Sequence, residues 1–161
     1  MRLSNFIHKR QQQQSDCLAA CADMVLRHLG IEIEYGRLRK LLHTGPEFTP
    51  FSHLQYLERL GLFILRGEQG EVSMFETYLA LGLPVIVGVR TLHWRHWEDI
   101  VTEHAVVVVG IDREHRLVYI NDPFFGEAPI EMSLTEFEAG WIEGEGQYAV
   151  IGLAPLGERD E

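Results

Sequence analysis

The chain has 161 residues, 46% of them hydrophobic, which suits one domain with a substantial core and is short for two. Its 24 acidic residues outweigh 14 basic ones for a formal charge of −10, so binding a phosphate backbone would have to overcome repulsion, and nucleic acid is not an expected partner. No apolar run approaches the roughly 20 residues of a membrane span and the N-terminus lacks a signal-peptide pattern, so a cytoplasmic protein without membrane insertion is expected.

In chain order, a tract of four glutamines at 11–14 leads into residues 18–29, rich in Ala, Leu and Met. Ser15 and Asp16 stand before this run as capping candidates, and Gly30 follows as a stop. A helix with Cys17 at its first turn is expected. Apolar spacing suggests further helices over 35–43, 51–60 and 72–81. Residues 84–89 and 105–111 are β-branched and nearly uniformly apolar, as strands buried on both faces are, and 117–121 follows a polar turn as the second arm of a hairpin. Residues 148–153 supply a last strand. The layout is α+β, a helical N-terminal half packed on an antiparallel C-terminal sheet.

Cys17 and Cys21 lie four apart on one expected helix, which disfavours a mutual disulfide and points to free thiols. A thiol attacks as thiolate, and a free cysteine titrates near about 8.5. A helix N-terminus and a neighbouring imidazole both favour the anion. Among the eight histidines, His104 begins an apolar strand that would hold its ring rigidly. If residues 105–111 and 117–121 pair as a hairpin, Asp122 emerges near His104, where an acceptor would fix the imidazole. Attack on a carbonyl also needs oxyanion donors, and any of Gln11 to Gln14 is near enough in sequence to serve beside a backbone N–H. Cys21, flanked by Ala20 and Ala22, reads as a core residue.

Between two expected strands lies His93-Trp94-Arg95-His96-Trp97. Trp94 and Trp97 are candidate substrate-facing residues, with roofing of the sheet edge as the structural alternative. No Cys-x-x-Cys or His-Glu-x-x-His spacing supports a metal site, and no glycine-rich phosphate loop supports a nucleotide cofactor, so none is expected. Loop 91–102 is long enough to be a lid.

The blocks Gln11 through Cys17-Leu18-Ala19-Ala20-Cys21, then Glu103-His104-Ala105-Val106-Val107-Val108-Val109-Gly110, then Tyr119-Ile120-Asn121-Asp122-Pro123 together resemble the C39-like branch of the papain-like cysteine peptidases. The similarity extends loosely over most of the chain, through Pro84-Val85-Ile86-Val87 and the helix start at Leu134. It implies a papain-like fold, one peptidase domain over 1–155 with an acidic tail at 156–161, Cys17 as nucleophile, His104 as general base and acid, Asp122 as orienting residue and Gln11 as oxyanion-hole side chain. It also implies a peptide or protein substrate, cleavage after a Gly-Gly-like pair, and association with an export transporter. The sequence departs from the family at Leu18, where glycine is common. Two other readings fit the same residues: an amide or acyl transferase, and a catalytically silent peptide-binding module.

Overall fold

The computed structural model describes residues 1–156; most of the expected acidic tail, from residue 157 onward, lies outside the described residues. Helix α1 (Cys17–His28) is built from good helix formers and buries nine of its twelve residues. It ends where Gly30 takes φ +85°, with Ile31 N–H donating to Leu26 O at 2.8 Å, a C-terminal motif that a side chain at Gly30 would strain. Helix α2 (Tyr35–Leu41) is capped by Glu34, whose carboxylate accepts from Gly36 and Arg37 N–H.

Residues Phe51–Leu60 form a 3-10 helix rather than the expected α-helix. The reason is visible in the spacing. The buried Phe51, Leu54 and Leu57 recur every three residues, which is the 3-10 period and lines them up on one face. Pro50 precedes the segment and Gly61, at φ +81°, ends it.

Helices α3 (Ser73–Ala80) and α4 (Leu134–Glu143) alternate with strands β1 (Phe63–Gly67), β2 (Val85–Arg90), β3 (Glu103–Asp112), β4 (Leu117–Asn121), β5 (Ile130–Ser133) and β6 (Gln147–Gly152). The strands form one antiparallel sheet in the order β1-β6-β2-β3-β4-β5. The α+β layout expected from the sequence is the one observed, with two edge strands, β1 and β5, added to it.

Alternation along the central strands divides the core. Ile86, Ala105, Val107, Val109, Ala149 and Ile151 face α1, α2 and the 3-10 helix. Val85, Val87, Val89, Val106, Val108 and Val150 face α3, α4 and the tryptophans. The N-terminal helices therefore cover one face only, and α3 and α4 cover the other. The β3–β4 pairing, Val107 opposite Asn121, brings the residue after β4 alongside the start of β3. That register positions the site.

Candidate active site

Cys17 is the first residue of α1 and half-buried, at the end where backbone N–H groups lack intrahelical acceptors. Asp16 holds the N-cap position, yet its carboxylate caps nothing in α1. It is buried and turned away, accepting from Arg39 Nε at 2.8 Å, Tyr35 Oη at 3.1 Å and Gln13 N at 3.1 Å. The expected cap of α1 is thus absent because a buried ion pair claims the carboxylate; a 3-10 turn, Gln14–Asp16, runs directly into α1, and Gln13 and Asp16 form a capping box at the start of that turn. Cys21, one turn on, is buried. Burial first, then the charges of Cys17 and Asp122, push its thiol well above the ordinary value.

His104 is buried at the start of β3 and its Nε2 donates to Asp122 Oδ1 at 2.7 Å. A carboxylate only accepts, so Nε2 carries the hydrogen and Nδ1 is the nitrogen left for Cys17. Burial disfavours the imidazolium, but the Asp122 charge, its hydrogen bond and the interaction with Cys17 outweigh burial and push His104 up to about 10. Burial likewise opposes the Asp122 anion. The facing His104 cation and the hydrogen bonds from His104, His96 and Phe124 N–H prevail and hold its carboxyl well below the usual carboxylate range.

Cys17 and His104 open on a cleft of about 1000 Å³, lined also by Gln11, Gln14 and Ser15. Gln11 is anchored to the segment after β4 by its N–H on Pro123 O at 2.8 Å, and its Nε2 donates to Gln13 O at 2.8 Å and Gln14 O at 3.1 Å. Gln12 does not line the cleft, and the Gln13 amide oxygen lies 3.5 Å from Arg39 Nη2. The exposed Phe48, Ile100, Val101 and Phe124 form an apolar lip.

The two tryptophans part company. Trp97 lines the cleft, packs edge-on against His104 at 4.9 Å between ring centroids, and donates from Nε1 to Asp122 Oδ2 at 3.0 Å. Trp94 does not reach the cleft: it is 1% exposed, stacks on Phe137 and donates to Glu136 O at 3.0 Å. The expectation that Trp94 faces substrate is corrected to the roofing role, because α4 offers its ring a core and its N–H an acceptor. Sequence reasoning missed His96 as a partner of Asp122; its Nε2 lies 2.9 Å from Oδ2. Loop 91–102 is tied at its neck, with Thr91 N–H on Thr102 O at 3.0 Å and Thr91 Oγ1 on Ile100 O at 2.7 Å.

Residues 5–144 match the model of the peptidase C39 family. The chain belongs to that family. It is 29% identical over 132 residues to the lactococcin-G-processing and transport ATP-binding protein LagD of Lactococcus lactis subsp. lactis, a match covering 81% of this chain and 17% of that protein. Among solved structures, the peptidase domain of Streptococcus ComA, a bifunctional ABC transporter of a quorum-sensing pathway, superposes with a TM-score of 0.73 at 21% identity, covering 93% of this chain and all of that one. A double-glycine-motif protease of an AMS/PCAT transporter in complex with the leader peptide superposes at 0.69 with 17% identity, covering 94% of each chain. The likeness establishes the papain-like fold. As a C39 family chain, it carries Leu18 at a fully packed position, 1% exposed within the core of α1, while still bordering the cleft.

Proposed function

We propose that the chain is a cysteine peptidase in which Cys17 attacks the carbonyl carbon of a peptide bond. The observation that carries this reading is the line from Cys17 through His104 to Asp122, with Cys17 and His104 lining one cleft and the thiol on the first residue of α1. The Cys17 thiol passes its proton to His104 Nδ1, and the thiolate adds to the carbonyl. The negative charge that develops on the carbonyl oxygen is held by backbone N–H at the start of α1 and by Gln11 Nε2, which exchanges its longer contact, 3.1 Å to Gln14 O, for the oxyanion. The His104 imidazolium gives its proton to the leaving amine as the C–N bond breaks. Water, deprotonated by the same ring, then hydrolyses the thioester and frees Cys17. Asp122 holds the ring and remains an anion throughout.

The relatives are named for processing and transport, and one was captured with a leader peptide. By that analogy the substrate is a leader peptide cleaved after a Gly-Gly pair, the partner is an export transporter and the compartment is the cytoplasm.

The deciding experiment is the rate of Cys17 alkylation against pH in the wild-type chain and in His104→Ala, with Cys21 read in the same digest. Fast labelling near neutral pH that depends on His104 supports the thiolate–imidazolium pair, and Gly-Gly peptides should then be cleaved ahead of peptides with bulky residues at the same position. Labelling no faster than a free thiol in both proteins would leave a silent peptide-binding module as the better reading.

A further inference from the structure

We propose that His96 is a positioning residue that, through Asp122, fixes the ring of His104. The inference rests on reading Cys17 and His104 as nucleophile and base. A carboxylate has about four acceptor sites, and those of Asp122 divide by origin. Oδ1 takes His104 Nε2 at 2.7 Å and the N–H of Phe124, from its own turn, at 3.0 Å. Oδ2 takes His96 Nε2 at 2.9 Å and Trp97 Nε1 at 3.0 Å, both from the 3-10 turn Arg95–Trp97.

The carboxylate torsion of an aspartate is broad and roughly two-fold, so one oxygen cannot be aimed without restraining the other. The Oδ2 pair supplies that restraint. Trp97 serves several ends at once, since its ring also packs on His104 and, at 4.7 Å, on Phe124. For His96, the hydrogen bond to Asp122 is the polar contact of its ring among the described residues. The ring is kept in place by an edge-on contact with Phe125 at 5.0 Å and by Trp94 at 5.6 Å. Because Asp122 only accepts, His96 must present Nε2–H to it, as His104 does. Two imidazoles therefore donate to one buried anion, and the donors on Oδ2, His96 with Trp97, decide where the lone pairs of Oδ1 point. Loop 91–102 thereby acts as a clamp on the base, secured by Thr91 at its neck and by Trp94 in the core.

The test uses the full chain and two substitutions. His96→Phe keeps a ring and removes the donor; His96→Gln places an amide N–H near the former Nε2–H. Melting temperature, the NMR resonance of the His104 Nε2–H proton and the rate of Cys17 alkylation at neutral pH are measured for each. The expected result is that His96→Phe slows alkylation about tenfold, as a misplaced base should, and shifts or broadens the His104 resonance, while His96→Gln restores most of both. Wild-type alkylation and an unmoved resonance in His96→Phe, with only the melting temperature changed, would overturn the inference. A resonance that responds to His96 in a chain whose Cys17 reacts no faster than a free thiol would support the positioning role and sink the peptidase reading instead.

Discussion

Replacing Asp122 by Asn keeps the size of the side chain but cannot keep its hydrogen bonds. All four groups facing Asp122 are donors: His104 and Phe124 N–H on one oxygen, His96 and Trp97 on the other. An amide must turn its NH2 toward one pair. Facing Trp97, it meets an indole that can only donate, and a buried hydrogen bond is lost. Facing His104, it forces that ring to expose a bare Nε2 and carry its hydrogen on Nδ1, the wrong tautomer to accept a proton from Cys17. Hydrogen bonds to charged groups are worth ~1.5–3 kcal/mol each, so a stability loss of ~2–4 kcal/mol is expected. A peptidase rate loss of about 10²–10⁴-fold should accompany it, equivalent to ~3–5 kcal/mol of barrier.

The pH dependence provides a sharper assay. Asp122 is held below its unfolded value, so its contribution is present above about pH 4 and is lost as pH falls through the depressed folded value. His104 is raised to about 10, so its contribution is complete below about pH 6.5 and is lost as pH rises through 10. These are two sides of one interaction. Urea unfolding of wild type and Asp122→Asn from acid to alkaline pH should therefore give a stability gap widest between about pH 4 and 6.5, shrinking on both sides. A gap that stays the same size from acid to alkaline pH, on both sides of that window, would refute the reasoning.

In the native chain, iodoacetamide should modify Cys17 and leave Cys21 untouched until denaturant is added, since Cys21 is buried with its thiol pushed up; equal labelling on mass spectrometry would contradict the α1 packing. Arg39→Ala strips the partner from the buried Asp16 and should cost ~2–3 kcal/mol by urea unfolding, somewhat below a fully buried pair because Arg39 is 27% exposed. Gly140→Ala places a methyl against the Trp94 indole and 2.5 Å from Arg90 O, so a loss of ~2 kcal/mol or more is expected, read as a lower urea midpoint. Gly88→Ala sets a methyl 2.6 Å from Gln147 Oε1, 3.1 Å from Phe51 and 3.3 Å from Gln147 Cβ, all of them cleft-lining residues, and should both lower the melting temperature and raise KM severalfold.

What the sequence made legible follows its physics. Helix α1 announced itself because Ala, Leu and Met dominate it and Gly30 can take the left-handed turn that ends it. Strands β2 and β3 were plain because both their faces are buried, leaving unbroken apolar runs. Strand β1 escaped because it is an edge strand carrying Arg66 and largely half-buried, and β5 because four residues hold no period. In the 3-10 helix the signal is present, in the every-third spacing of Phe51, Leu54 and Leu57, but over ten residues a spacing of three also fits an α-helical face. Trp94 and Trp97 looked alike in sequence, three residues apart. The backbone separates them: Trp94 is extended, with φ −80° and ψ 115°, before a turn that carries Trp97 toward Asp122. The contact of His96 with Asp122 spans 26 residues and depends on that turn, so no local pattern could reveal it.

The least legible feature has the largest bearing on the chemistry. A Ser-Asp pair before an apolar helix reads as a cap, and a capping carboxylate at Asp16 would have set a negative charge against the N–H groups beside Cys17. Two anions, the carboxylate and the thiolate, would then compete for one helix terminus, and the oxyanion that inherits the thiolate's charge would face the same carboxylate. The fold avoids this by drawing Asp16 inward to Arg39 and Tyr35, whose phenol is raised above its ordinary range by burial and by that carboxylate. The same carboxylate accepts from Gln13 N–H, which organises the turn between Gln11 and Cys17. Asp16 thus serves the site by what it leaves open as much as by what it holds. Arg39→Ala should consequently slow Cys17 alkylation beyond its effect on stability, because a released Asp16 can swing onto the first turn of α1. Conversely, the double variant Asp16→Asn with Arg39→Ala should recover part of the rate, since the neutral amide no longer opposes the thiolate. If the double variant is no faster than Arg39→Ala alone, the carboxylate is not the inhibiting group and this account of Asp16 fails.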